Sequence, residues 1–82
     1  MKYKLVAALD EFKPRKCKTL EKLVEFGNNE NIIEYMKNRC SVKDGYIIDS
    51  DDDTDDEIFC TDKYRMTYRD MMCNEVFLYE RI

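Results

Sequence analysis

The chain has 82 residues, 44% of them hydrophobic and 39% charged, with a net charge of −4 and no histidine. This length predicts a single domain over residues 1–82, and the hydrophobic content excludes a wholly disordered chain. Because histidine is absent, Ser-His and Cys-His catalytic pairs are excluded within this chain.

The first predicted element is a strand over Lys2–Leu9. Tyr3, Leu5, Ala7 and Leu9 occupy alternate positions, so we expect these four side chains to share one buried face. The apolar stretch inside this segment is shorter than the ~7 residues of a signal-peptide core, and two acidic residues follow it. The pattern therefore favours a buried strand of a cytoplasmic protein over a signal peptide.

Two helices are predicted next, after a short basic loop. Leu20, Leu23 and Val24 have the i, i+3, i+4 spacing of a helical stripe, and Gly27 is a suitable helix stop. A second helix is predicted over Glu30–Arg39, where apolar side chains again recur at helical spacing. Either of the two asparagines that precede it could cap its first turn.

Strands are predicted in the second half of the chain. They are expected at Tyr46–Ile48, Lys63–Arg69 and Glu75–Ile82, and residues 58–60 are again apolar after the acidic loop. The segment Lys63–Arg69 is ambiguous, because Thr67 and Asp70 also have the spacing of a helix-capping box. The whole order predicts an α+β fold, in which two helices pack on one face of a small antiparallel sheet and a long acidic loop interrupts the strands.

The acidic loop concentrates the negative charge of the chain. Residues 1–48 carry ten basic and seven acidic side chains, and residues 58–82 carry four of each. The segment between them, here called the acidic run, consists of residues 49–57. Its seven carboxylates are Asp49, Asp51, Asp52, Asp53, Asp55, Asp56 and Glu57. Because like charges at this density repel, we expect the run to be extended and solvated, with no side chain facing the core.

Three uses of the acidic run can be compared. Asp49, Asp51 and Asp53 match the first ligands of a calcium loop, but Thr54 stands where glycine is needed and Cys60 where glutamate is needed. A solvated loop that aids solubility and a surface for a basic partner both fit the composition. As a surface for a basic partner, the carboxylates would imitate nucleic-acid phosphates and occupy a cationic groove of an enzyme that handles DNA or RNA.

Four cysteines give a second pattern, at Cys17, Cys40, Cys60 and Cys73. Zinc sites usually contain close cysteine pairs, which are absent here, but four thiols are the number that a tetrahedral site needs. Each also falls at the edge of a predicted element. Buried free thiols remain the alternative, while disulfides are disfavoured in a reducing cytoplasm.

Catalysis is not expected, because the chain lacks a Gly-rich phosphate loop and a nucleophile elbow, and its carboxylates cluster in an exposed loop. Direct nucleic-acid binding is disfavoured by a sequence pI of about 4.8. A membrane span is not expected either, because no apolar run approaches ~20 residues. The sequence therefore predicts a protein-binding module.

In its acidic run, its four cysteines and its small size, the chain resembles phage-encoded inhibitors, in particular the type II anti-CRISPR proteins. The resemblance implies stoichiometric binding to an RNA-guided CRISPR nuclease through the acidic run, which prevents target DNA from loading without any chemistry. Through a zinc-containing member, it also implies a structural zinc held by Cys17, Cys40, Cys60 and Cys73. The alternative is a small structural or regulatory phage or bacterial protein with a passive acidic loop.

Overall fold

A computed structural model describes residues 1–10, 28–43, 45–49, 55–70 and 74–82. The elements are β1 (Lys2–Asp10), α1 (Asn29–Arg39), β2 (Ile47–Asp49), β3 (Asp56–Cys60), β4 (Tyr64–Asp70) and β5 (Asn74–Arg81). The five strands form one antiparallel sheet in the order β2-β1-β5-β4-β3. The predicted α+β class with a small antiparallel sheet is therefore confirmed.

The described residues contain one helix rather than the expected two, and the first predicted helix falls outside them. α1 begins where Asn28 caps it, because the Asn28 side-chain oxygen accepts a hydrogen bond from the Asn31 N–H at 2.9 Å. Ile32 and Met36, one turn apart, are buried and face the sheet. No helix in the described part of the chain is long and apolar enough to cross a membrane.

A bulge interrupts the pairing of β1 with β5. Leu5 lies opposite Tyr79, but Ala7, two residues on, lies opposite Leu78, so Val6 is an extra residue in the ladder. Because side chains alternate between faces along a strand, one inserted residue moves all later side chains to the other face. β1 therefore changes its buried face at Val6.

The expectation that Tyr3, Leu5, Ala7 and Leu9 share one face is wrong for this reason. All four are buried, but they divide between two apolar clusters. The cluster on the helix face contains Ala7, Leu9, Ile32, Met36, Met66, Val76 and Leu78. The cluster on the opposite face, here called the aromatic face, contains Tyr3, Leu5, Phe77 and Tyr79. The central strand β5 thus contributes to both layers, which explains its continuous apolar run over residues 76–79.

The sheet curls around its aromatic face. The Tyr3 hydroxyl of β1 lies 3.7 Å from the Cys60 Sγ of β3, although β5 and β4 lie between these two strands. In a flat sheet, β1 and β3 would be about 14 Å apart. From the other edge, the Tyr46 hydroxyl reaches to within 3.5 Å of the Tyr79 hydroxyl on β5. Side chains from both edges of the sheet therefore contact tyrosines of the inner strands β1 and β5.

The segment after α1 runs back along the outer edge of β1. The Val42 N–H donates to the Val6 carbonyl at 3.1 Å, and the Leu5 N–H donates to the Tyr46 carbonyl at 3.0 Å. Between these two contacts, Gly45 passes so close to Leu5 that a β-carbon on Gly45 would collide with the Leu5 carbonyl oxygen. Position 45 therefore needs glycine, because only a residue without a β-carbon allows this close approach of the two backbones.

We expect Gly45→Ala to lower the free energy of unfolding by about 1–3 kcal/mol, because the added methyl group must push the backbone away from β1. Lys43→Ala, an exposed substitution in the same segment, is the matched control and should change stability by less than ~0.5 kcal/mol. Urea denaturation of the three proteins measures the difference. Equal midpoints for all three would show that the segment does not pack as described.

Candidate protein-binding site

The acidic run joins the two edges of the sheet. Asp49 ends β2 at one edge, while Asp56 and Glu57 begin β3 at the other, and Asp55 directly precedes β3. Asp51, Asp52 and Asp53 lie outside the described residues. The prediction that the whole run is a loop is therefore wrong at both ends, because three of its carboxylates belong to strands.

Asp55 is held against the sheet by Arg69 of β4. Its two carboxylate oxygens accept hydrogen bonds from Arg69 Nε at 3.0 Å and from Arg69 Nη2 at 3.1 Å. This bidentate pair raises the pKa of Arg69 above its usual value, chiefly through the hydrogen bonds to Asp55. The Asp55 side chain is only 10% exposed, so the expectation that no carboxylate of the run faces inward is wrong.

Arg69 also makes two further contacts on the aromatic face. Its Nη1 lies 3.8 Å from a carboxylate oxygen of Glu75, and its guanidinium carbon lies 5.0 Å from the centre of the Phe77 ring. A cation over an aromatic face is attracted by the ring quadrupole. Several contacts therefore hold Arg69 in place, and Arg69 in turn fixes Asp55 at the start of β3.

Glu57 makes the second internal ion pair of the run. Its Oε1 lies 3.3 Å from the Nε of Arg65, whose side chain is only 8% exposed. A buried guanidinium is costly unless it is paired, so Glu57 compensates a charge that the fold places inside. The Glu57 side chain is itself 51% exposed, and it still presents negative charge to the surroundings.

The other two described carboxylates, those of Asp49 and Asp56, are more exposed than that of Asp55. Asp56 is exposed and lies opposite Tyr68 in the β3–β4 pairing. The Asp49 carboxylate is partly exposed and lies 3.8 Å from the N-terminal ammonium group. The described part of the run thus combines an inward anchor at Asp55 with outward charge at Asp56, at Glu57 and, in part, at Asp49.

The sequence alone did not point to Arg65 and Arg69 as partners of the acidic run. They lie on the same face of β4 because they are separated by an even number of residues, and that face opposes the start of β3. Two arginines at strand spacing, ten or so residues after an acidic run, were the available signal.

The two described cysteines are not close together. Cys40 follows α1, is partly buried and packs against the cluster of the helix face. Cys60 is exposed at the end of β3, with its Sγ beside Tyr3 of the aromatic face. Two thiolates on one zinc must lie within ~4 Å of each other, because each Zn–S bond is about 2.3 Å long.

Cys17 and Cys73 fall outside the described residues. In the described ranges, no three His, Cys, Asp or Glu side chains are grouped as a metal site would require. The placement of Cys40 and Cys60 on different sheet faces gives no support to a shared site. The four-cysteine zinc site stays a prediction, which the zinc content of the purified protein and of its four Cys→Ser variants would test.

Comparison with known proteins adds no relative. No protein-family model, no curated protein and no solved structure matches this chain.

We expect Asp55→Asn to lower the free energy of unfolding by about 1 kcal/mol, because it weakens the bidentate pair with Arg69. The loss stays small because Arg69 is partly exposed, so water screens its unpaired charge. Asp56→Asn is the matched control, since it removes the same charge from the adjacent exposed position and should change stability by less than ~0.5 kcal/mol. Urea denaturation at low salt separates the two. A larger loss for Asp56→Asn would contradict the assignment of Asp55 as the anchor.

Tyr3 should make stability fall at alkaline pH. Its hydrogen bond with Cys60, together with burial, raises the pKa of Tyr3 above 10.0, so the folded state holds the phenol proton more tightly than the unfolded state. Its contribution is therefore complete below pH 10 and is lost as the pH rises further. We expect Tyr3→Phe to show a shallower decline of unfolding free energy above pH 10 than the wild type. An unchanged slope would contradict this environment for Tyr3.

Proposed function

We propose that this chain is a stoichiometric inhibitor that binds a basic surface of a nucleic-acid-handling enzyme in the bacterial cytoplasm. An RNA-guided CRISPR nuclease is the proposed target, and prevention of target DNA loading is the proposed effect. The observation that carries the proposal is the attachment of a run of seven carboxylates to both sheet edges, with Asp55 pinned by Arg69. The protein itself performs no chemistry in this proposal.

Anchoring supports a binding role because it reduces the entropy that the run loses when it meets a partner. Asp49 belongs to β2 and Asp55 is paired with Arg69, so both ends of the run are attached to the sheet. Charges held in position are also better matched to fixed cations than charges on a free tail.

The charge balance supports a basic partner. The run carries seven negative charges, whereas the net charge of the whole chain is −4, so the remainder of the molecule is slightly basic. Positive potential along a DNA-binding channel attracts such a surface and speeds its association. Occupation of that channel by carboxylates would exclude the phosphates of target DNA by direct competition.

Three neutralising substitutions in the run test this function. We expect Asp51→Asn, Asp52→Asn and Asp53→Asn together to weaken inhibition of target DNA cleavage at least about tenfold, because charge contacts to the nuclease are lost. The anchors Asp55 and Glu57 stay intact in this variant. The measurement is the inhibitor concentration that halves cleavage, with guide-dependent DNA binding followed in parallel.

The matched control neutralises three exposed carboxylates outside the run, Glu30→Gln, Glu34→Gln and Asp62→Asn. It changes the net charge by the same amount and should inhibit as the wild type does. Equal potency of the two triple variants would exclude a specific role for the run. Absence of inhibition by the wild-type protein across a panel of such nucleases would favour the passive-loop alternative.

A further inference from the structure

β3 is an edge strand with an open side. Among the described residues it pairs only with β4, so the backbone groups along its other side do not belong to the sheet ladder. All of its side chains except Phe59 are exposed, and Ile58, where the pairing shifts, is 37% exposed. An accessible row of backbone donors and acceptors can pair with a strand of another chain.

Side-chain and turn contacts hold both ends of β3. The Asp55–Arg69 pair fixes the residue before β3, and the Glu57–Arg65 pair fixes its second residue. After the strand ends, the Thr61 N–H donates to the Tyr64 carbonyl at 2.7 Å, and the Tyr64 N–H donates to the Thr61 hydroxyl oxygen at 3.0 Å. An edge that is already ordered loses little entropy when a partner strand is added.

Charge selects what can add to this edge. Two copies of the chain placed edge to edge would bring two acidic runs together, so repulsion disfavours self-association. A strand that carries lysine or arginine would instead be attracted by these carboxylates. Asp56 and Glu57 are consecutive, so their side chains project to opposite faces of the sheet. Basic side chains of an added strand would therefore find a carboxylate on either face.

We propose that the outer edge of β3 takes up an extended basic segment of the partner protein as a sixth strand of the sheet. The inference rests on the proposed function and specifies how the partner docks. The acidic run attracts the segment, and backbone hydrogen bonds to β3 then fix its register and direction. The bulge at Ile58 divides the available ladder, so a short segment fits better than a long regular strand.

A model peptide tests the docking mode. The probe is an eight-residue peptide of alternating lysine and valine with blocked ends, and the control is the same peptide with every backbone nitrogen methylated. The control keeps the charge but cannot donate backbone hydrogen bonds. We expect the unmethylated peptide to bind at least about tenfold more tightly and to slow the exchange of β3 amide protons measured by NMR.

Equal affinity of the two peptides, or binding that leaves β3 amide exchange unchanged, would overturn the edge-docking inference. Either result would leave the proposed function standing with docking by charge alone. The nuclease assay with the run variants tests that function separately. Failure of both peptides to bind at millimolar concentration would likewise overturn edge docking. Slowed exchange in β3 together with loss of inhibition when the peptide competes with the nuclease would support both proposals.

Discussion

The bidentate ion pair between Arg69 and Asp55 is the contact on which the placement of the acidic run depends. It brings one carboxylate of a mutually repelling segment to the sheet and leaves its neighbour Asp56 exposed. Glu75 and Phe77 also contact the Arg69 guanidinium. Because the Asp55 side chain is largely buried, loss of the arginine would leave a carboxylate with little access to water.

The Arg69–Asp55 contact belongs to a sheet that buries apolar side chains on both of its faces. The bulge at Val6 lets one strand serve two layers, with Leu5 on the aromatic face and Ala7 under the helix. Both faces of β5 can then be buried in a chain of 82 residues, where the apolar core is necessarily small. The curl around the aromatic face lets the Tyr3 hydroxyl approach Cys60 across two intervening strands.

Local patterns predicted the local features well. The second predicted helix and the apolar run of β5 follow from spacing and residue type within short windows. The same windows left the helix cap open between two asparagines and left β4 open between a strand and a helix turn. The face change at Val6 could not be predicted, because alternation continues through the bulge and only the partner strand reveals the extra residue. The Asp55–Arg69 pair could not be predicted either, because its partners lie 14 positions apart and meet only when β3 pairs with β4. For the candidate site, the sequence located the charge but not the fixed carboxylate within it.

The salt dependence of the complex with the proposed target, an RNA-guided nuclease, tests the central claim most directly. Affinity should be measured for the wild-type protein by calorimetry over a series of sodium chloride concentrations. If anchored carboxylates on the run bind a cationic channel, the dissociation constant should rise at least about tenfold between roughly 50 and 500 mM salt. A dissociation constant that stays constant over this range would contradict the account, because a complex made by apolar surfaces is not weakened by screening.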